Sequence, residues 1–98
     1  MTELDRHLLP PARLKLMTML TAASDIEFSV LRDALDVSDS VLSKHIAALA
    51  EAGYLRSRKG TRDGRRTTWL ALSAAGRKAL HTHVAALREI IDGIDGID

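Results

Sequence analysis

Two hydrophobic repeats follow one another along the chain, and the change between them marks its plan. From about residue 11 to residue 52 the apolar side chains recur at helical spacing. In "ARLKLMTMLTAA" the buried side comprises Leu14, Met17, Leu20 and Leu16. Pro10-Pro11 suits entry into this helix, because proline is tolerated in a first turn, and Ser24-Asp25 ends it. "IEFSVLRDALD" places Phe28, Leu31 and Leu35 on one face of a short second helix, with a single short strand around Ile26 before it. "DVS" makes a three-residue turn in which Ser38 is a good N-cap. The third helix, "DSVLSKHIAALAEA", carries the stripe Leu42, Ile46 and Leu49 and stops at Gly53, as a C-terminal glycine would require.

The period then falls to two. Leu55, Ser57 and Lys59 alternate with Arg56 and Arg58, and Leu70 and Leu72 share one side of "RRTTWLALS". Two such runs around Asp63-Gly64 predict a β-hairpin. Trp69 lies on the side away from Leu70 and Leu72 and is assigned to hairpin packing. Ser73 can cap a last helix from Ala74 to about Asp92, with fraying past about Gly93, where acids and glycines oppose a helix C-terminus. Its stripe of Leu80, Val84, Leu87, Ile91 and Ile94 has the alternating steps of a coiled-coil seam. The opening "MTELDRHLL" offers Leu4, Leu8 and Leu9 at roughly helical spacing. The fold class is therefore mainly α with a small β-hairpin, in the order helix-helix-helix-hairpin-helix, as one domain over residues 1–98.

Composition narrows this plan. Ninety-eight residues with 46% apolar content, but one Phe, one Tyr and one Trp, predict a small aliphatic core. The absence of cysteine excludes disulfides, thiolate nucleophiles and Cys-ligated zinc. No apolar run nears 18 residues and no signal-peptide pattern occurs, so a cytoplasmic chain without membrane contact is expected. Neither a catalytic constellation nor a phosphate-cradling glycine loop is present. An enzyme is not expected, nor a cofactor.

Charge changes the picture more. The net +1 conceals "RSRKGTRDGRR" at residues 56–66, which holds six of the fourteen Lys and Arg and a single acid. That segment sums to +5 and the remainder to −4. A basic tip on an acidic body orients in the field of a polyanion.

Two helices joined by "DVS" predict a helix-turn-helix, whose second helix enters a DNA major groove. Opposite its apolar stripe stand Ser40, Lys44, Ala47 and Glu51, with Ser43 at the flank. Ser40, Ser43 and Lys44 are placed to meet base edges and phosphates, and Ala47 is compact enough to touch a thymine methyl. Taken alone, this face reads as the solvated side of an amphipathic helix. The basic hairpin directly after it tips the balance, since Arg62, Arg65 and Arg66, with Arg58 lower on the arm, would reach the backbone or minor groove.

The segments "VSDSVLSKHIAALAEAGYLRSRKG" and "TTWLALSAAGRKAL" resemble winged helix-turn-helix bacterial regulators of the MarR and ArsR type, the short MarR-like subgroup most of all. The resemblance rests on Ser43, His45, Ile46, Leu49, Ala52, Gly53, Tyr54 and Leu55, then on Leu72, Ser73 and Gly76, with Ser73 standing where threonine is commoner. It spans about residues 10 to 90 and implies a homodimeric, repressor-type regulator on a palindromic operator in double-stranded DNA.

The spare apolar groups fit that implication. Leu4, Leu8, Leu80, Val84, Leu87 and Ile91 are the expected dimer contacts, made by residues 1–9 and 74–98. Two readings stay beside the leading one. A winged helix can also bind protein, in which case an exposed apolar patch would replace the small polar face. His81 and His83 raise a metal-responsive, ArsR-like alternative, but residues two apart point about 200° apart on a helix, so only a site bridging two subunits could use both. His45 is assigned to packing or a helix interface.

Overall fold

The helical and alternating stretches of the sequence become helices and strands in the computed structural model, which describes residues 3–94. The chain runs from a single 3₁₀ turn, Arg6–Leu8, into α1 (Pro11–Met19), β1 (Ile26–Glu27), α2 (Phe28–Leu35), α3 (Asp39–Glu51), β2 (Leu55–Arg62), β3 (Arg65–Leu72) and α4 (Ala74–Ile94). The opening segment thus forms one turn rather than a helix. At the other end α4 passes through Gly93 to Ile94, and the rest of the tail lies outside the described residues.

Local chemistry sets the boundaries. Pro11 opens α1 where a missing N–H costs nothing. Asp36 adopts a left-handed φ of 54° to reverse the chain after α2, a conformation Asp tolerates better than most residues. Two residues later the Ser38 hydroxyl accepts the Val41 N–H at 3.2 Å and starts α3. The "DVS" turn is therefore tight enough to cross α2 and α3 as a helix-turn-helix. Gly53 closes α3 at φ +85°.

The hairpin turns on Asp63 and Gly64, both at positive φ (52° and 78°), the signature of a two-residue type I′ turn. β2 pairs β3 along eight positions, from Leu55 opposite Leu72 to Arg62 opposite Arg65. β1 adds a third strand on the other side of β3, but only at Ile26 opposite Leu70 and Glu27 opposite Trp69. Beyond Trp69 the sheet narrows to a two-stranded ribbon.

One aliphatic core joins these parts. Leu16 and Met17 of α1, Leu20 just after it, Leu31, Leu42, Leu49 and Leu70 are fully buried together. Leu16 rather than Leu14 is the deeper residue of the first helix, since Leu14 only packs against the cluster. α4 docks through a close contact. A Cβ on Gly76 would lie 2.1 Å from the Tyr54 carbonyl oxygen, so only glycine permits the approach. Ser73 bridges the same junction, donating from its hydroxyl to the Gly53 carbonyl at 2.6 Å and accepting the Gly76 N–H at 2.9 Å.

The molecule is elongated. Its radius of gyration is 15.0 Å, against about 13 Å for a compact domain of this length.

Candidate nucleic-acid interface

The outer face of α3 is open. Ser40, Ser43, Lys44 and Ala47 are all exposed, as is Glu51. Ser40 contacts the Ser38 hydroxyl at 3.2 Å, which places it beside the free N–H groups of the first helical turn. Val41, at 40% exposure, adds an apolar group on the flank. Inward, α3 is fixed from two sides. Arg32 of α2 reaches Asp39 at 3.0 Å as well as Asp33 at 2.9 Å, and both acids raise its pKa. Arg13 of α1 donates its Nε–H to His45 Nδ1 at 3.0 Å. His45 is thus an interface histidine, with its pKa lowered by burial and by the neighbouring guanidinium.

Within the basic run Arg58 and Arg62 are paired with acids, whereas Arg56, Lys59, Arg65 and Arg66 make no ion pair among the described residues. Arg58 donates twice to Asp25, at 2.8 and 3.1 Å, and its guanidinium sits 5.1 Å from the centre of the Trp69 ring. Arg62 donates to Glu27 Oε2 at 2.6 Å. Both pairs reach from β2 across the central strand to β1 or the turn before it. Trp69 lies beneath Arg58, against the bare backbone of Gly60, which fits its assignment to the outer side of the hairpin. Arg65 and Arg66, by contrast, are exposed and make no ion pair among the described residues. They line an open cleft of about 910 Å³ between the wing tip and the first turns of α2, together with Ser29, Arg32, Thr67 and Thr68.

Glu27 was not among the residues the sequence singled out. Its side chain is 8% exposed, and it accepts hydrogen bonds from the Ser29 hydroxyl and from Arg62. These bonds, in that order, hold its carboxyl down at about 2 against the opposition of burial. An acid between Ile26 and Phe28 was the available signal: a charge inside an apolar run needs a partner.

At the other end of the chain the structure corrects part of the dimer expectation. Leu8 and Leu80 are not spare. Both are buried in the chain's own core, because the 3₁₀ turn folds Leu8 inward and Leu80 faces the same cluster. Val84 and Leu87 are half-buried. Leu4, Leu9, Ile90, Ile91 and Ile94 remain exposed, at 37 to 59%. His83 is only 1% exposed, and its Nδ1 accepts the Asp5 N–H at 2.8 Å, whereas His81 is exposed. The two histidines therefore occupy unlike environments, and among the described residues no three metal-ligating side chains are grouped.

With this geometry in place, comparison with known proteins is direct. The model of the winged helix DNA-binding domain family matches residues 12–91. An uncharacterised protein of Methanocaldococcus jannaschii is 25% identical over 83 residues, which is 85% of this chain and 90% of that protein. A transcriptional regulator homologue from Pyrococcus horikoshii superposes with a TM-score of 0.85 at 27% identity, covering 93% of this chain and 90% of that one. A MarR family transcriptional regulator from Silicibacter pomeroyi gives 0.70 at 21% identity over 92% of this chain, which spans only 60% of that longer protein. No helix among the described residues is long and apolar enough to cross a membrane. The order of elements, the three-stranded winged sheet and the family match over residues 12–91 together establish that the chain belongs to the winged helix DNA-binding domain family and has the fold of MarR-type transcriptional regulators.

Proposed function

We infer that the protein is a homodimeric, sequence-specific DNA-binding regulator that represses by occupying a palindromic operator. The observation that carries this reading is an exposed α3 face of small and basic residues, Ser40, Ser43, Lys44 and Ala47, in one fold with two exposed wing arginines that have no ion-pair partner among the described residues. α3 enters the major groove, where Ser40, Ser43, Lys44 and Ala47 meet base edges, thymine methyls and nearby phosphates. Arg65 and Arg66 take the flanking backbone or minor groove. Arg58 and Arg62 belong to the same wing but act as its supports.

The dimer is supported by the exposed Ile90, Ile91 and Ile94 at the end of α4, with Leu4 and Leu9 of the amino-terminal segment. Two chains joined there would set their α3 helices roughly one DNA turn apart, ~34 Å.

Selection of bound sites from a random duplex library tests the whole reading, with recovery of a two-fold-symmetric site as the expected result. Titration of that site at rising salt then separates the two contact sets. A log–log slope of about −5 to −7 is expected for three to four phosphate contacts per chain. Arg65→Ala with Arg66→Ala should flatten it by about 2 per chain while leaving the preferred sequence unchanged. An unaltered slope would remove the wing from the interface. A stable monomer by sedimentation at micromolar concentration would remove the palindrome.

A further inference from the structure

The sheet has a weak point where β1 ends. Trp69 is the last residue of β3 with a partner on both sides; from Thr68 to Arg65 only β2 remains. An isolated two-stranded ribbon is marginal in water. Yet this ribbon carries Arg65 and Arg66, whose value to DNA binding depends on where the tip points.

Arg62 is the last residue of β2, opposite Arg65 and next to the turn. Glu27 is the last residue of β1, opposite Trp69. The two lie on the same outer face but four β3 positions apart, roughly 13 Å of strand. Their 2.6 Å ion pair therefore spans the whole unsupported ribbon and ties its tip to the three-stranded part.

The tie cannot be lent to DNA. Glu27 is nearly buried, and taking Arg62 away would leave a buried charge with only the Ser29 and Thr67 hydroxyls as company. The contrasting Asp25–Arg58 pair is open to solvent, with side chains 27% and 59% exposed, and is worth little as an anchor.

We propose that Glu27 is a positioning residue for DNA recognition: it withholds Arg62 from the phosphates and uses it to hold the wing tip in the orientation that presents Arg65 and Arg66. This rests on the DNA-binding reading above. It also assigns the buried acid a sign of effect that simple support does not predict. Neutralising Glu27 frees a cation beside the DNA, so binding to arbitrary duplex rises while discrimination falls.

The test compares wild type, Glu27→Gln and the double variant Glu27→Gln with Arg62→Gln, by anisotropy on the selected operator and on random duplex across a salt series. Circular dichroism confirms that each is folded. In Glu27→Gln the random-duplex slope is expected to steepen by about 1 per chain, with tighter binding at low salt and a smaller operator-to-random ratio. The double variant should return to the wild-type slope while keeping the reduced ratio. A Glu27→Gln protein with wild-type slope and ratio overturns the proposal. So does a double variant whose slope is shallower than wild type by about 1 per chain, since Arg62 would then already contact phosphate in the native complex. The second result stands even if the single variant fails to fold. A wild-type chain that forms no salt-dependent complex removes the DNA-binding reading itself, and the latch with it.

Discussion

The wing and the amino-terminal segment are each tied to the body by one buried polar side chain, and the two ties differ in kind. Glu27 and His83 are the buried polar or charged residues among those described. Glu27 holds the wing through an ion pair with an arginine that is itself half exposed. His83 holds the amino-terminal segment through a neutral hydrogen bond from the Asp5 N–H, and Asp5 in turn accepts from the Tyr54 hydroxyl and the His7 N–H. His7 stands edge-on to the Tyr54 ring at 5.9 Å. The charged tie sits on the wing, where its arginine is half exposed and salt can reach it. The neutral one sits at the junction of α3, α4 and the chain start, where constancy serves better than response.

If the neutral junction is the rigid one, its largest failure should come from backbone overlap rather than from lost charge. Gly76→Ala would drive a methyl to 2.1 Å from the Tyr54 carbonyl oxygen, an overlap that no side-chain rotation relieves. Overpacking commonly costs about 1–3 kcal/mol, and a backbone clash belongs at or above the top of that range. Thermal unfolding should show the loss directly. A Gly76→Ala protein as stable as wild type would mean that α4 can shift off the α3 terminus, and the two regions would no longer contrast in stiffness.

Next in size is His83→Ala. It removes a fully enclosed ring and strands the Asp5 N–H, for a combined loss of about 2–4 kcal/mol. Chemical denaturation measures it. The contrast sharpens if the salt slope on the selected duplex stays unchanged at temperatures where the variant is folded, because this tie joins the amino-terminal segment to α4 and not to the wing. A change of slope would instead couple the amino-terminal segment to the wing.

How much of this was legible beforehand depended on the range of each contact. The "DVS" turn, the Ser38 and Ser73 caps, the Gly53 stop and the Asp63-Gly64 hairpin all follow from chemistry within four residues, and the sequence exposes such signals. The outward faces of α3 and the wing were legible for the same reason, since periodicity assigns a side. Partners far apart in the chain were not. Arg62 meets Glu27 across 35 positions, Tyr54 meets Asp5 across 49, and Asp5 meets His83 across 78. The positive run therefore looked uniform until packing supplied acids to two of its members. Leu8 looked spare because a one-turn 3₁₀ segment has no periodicity long enough to reveal which way it faces. Glycine at position 76 fitted a family step, but the carbonyl that demands it lies on another helix's terminus.

The smallest expected effect concerns the Tyr54–Asp5 bond, which joins the neutral tie at Asp5. Tyr54 is the chain's single tyrosine, so tyrosinate absorbance titrates it alone. Its hydrogen bond to Asp5, with burial and the Asp5 charge adding to it, raises its pKa from 10.0 to about 12. A raised value for a group that ionises to an anion means the fold favours the neutral phenol. The stabilisation is complete below pH 10 and drains away as pH climbs from there through about 12. Asp5→Ala should move the midpoint back toward 10 with only a modest loss of stability at neutral pH. The charged tie behaves in the opposite sense: Glu27, depressed from 4.5 to about 2, contributes fully above pH 4.5 and loses its hold as pH falls toward 2. The Tyr54–Asp5 bond and the Glu27 tie thus fail at opposite ends of the pH scale. A native Tyr54 titrating near 10 would show that the Asp5 bond does not persist in solution and that the amino-terminal segment hangs on His83 and Leu8 alone.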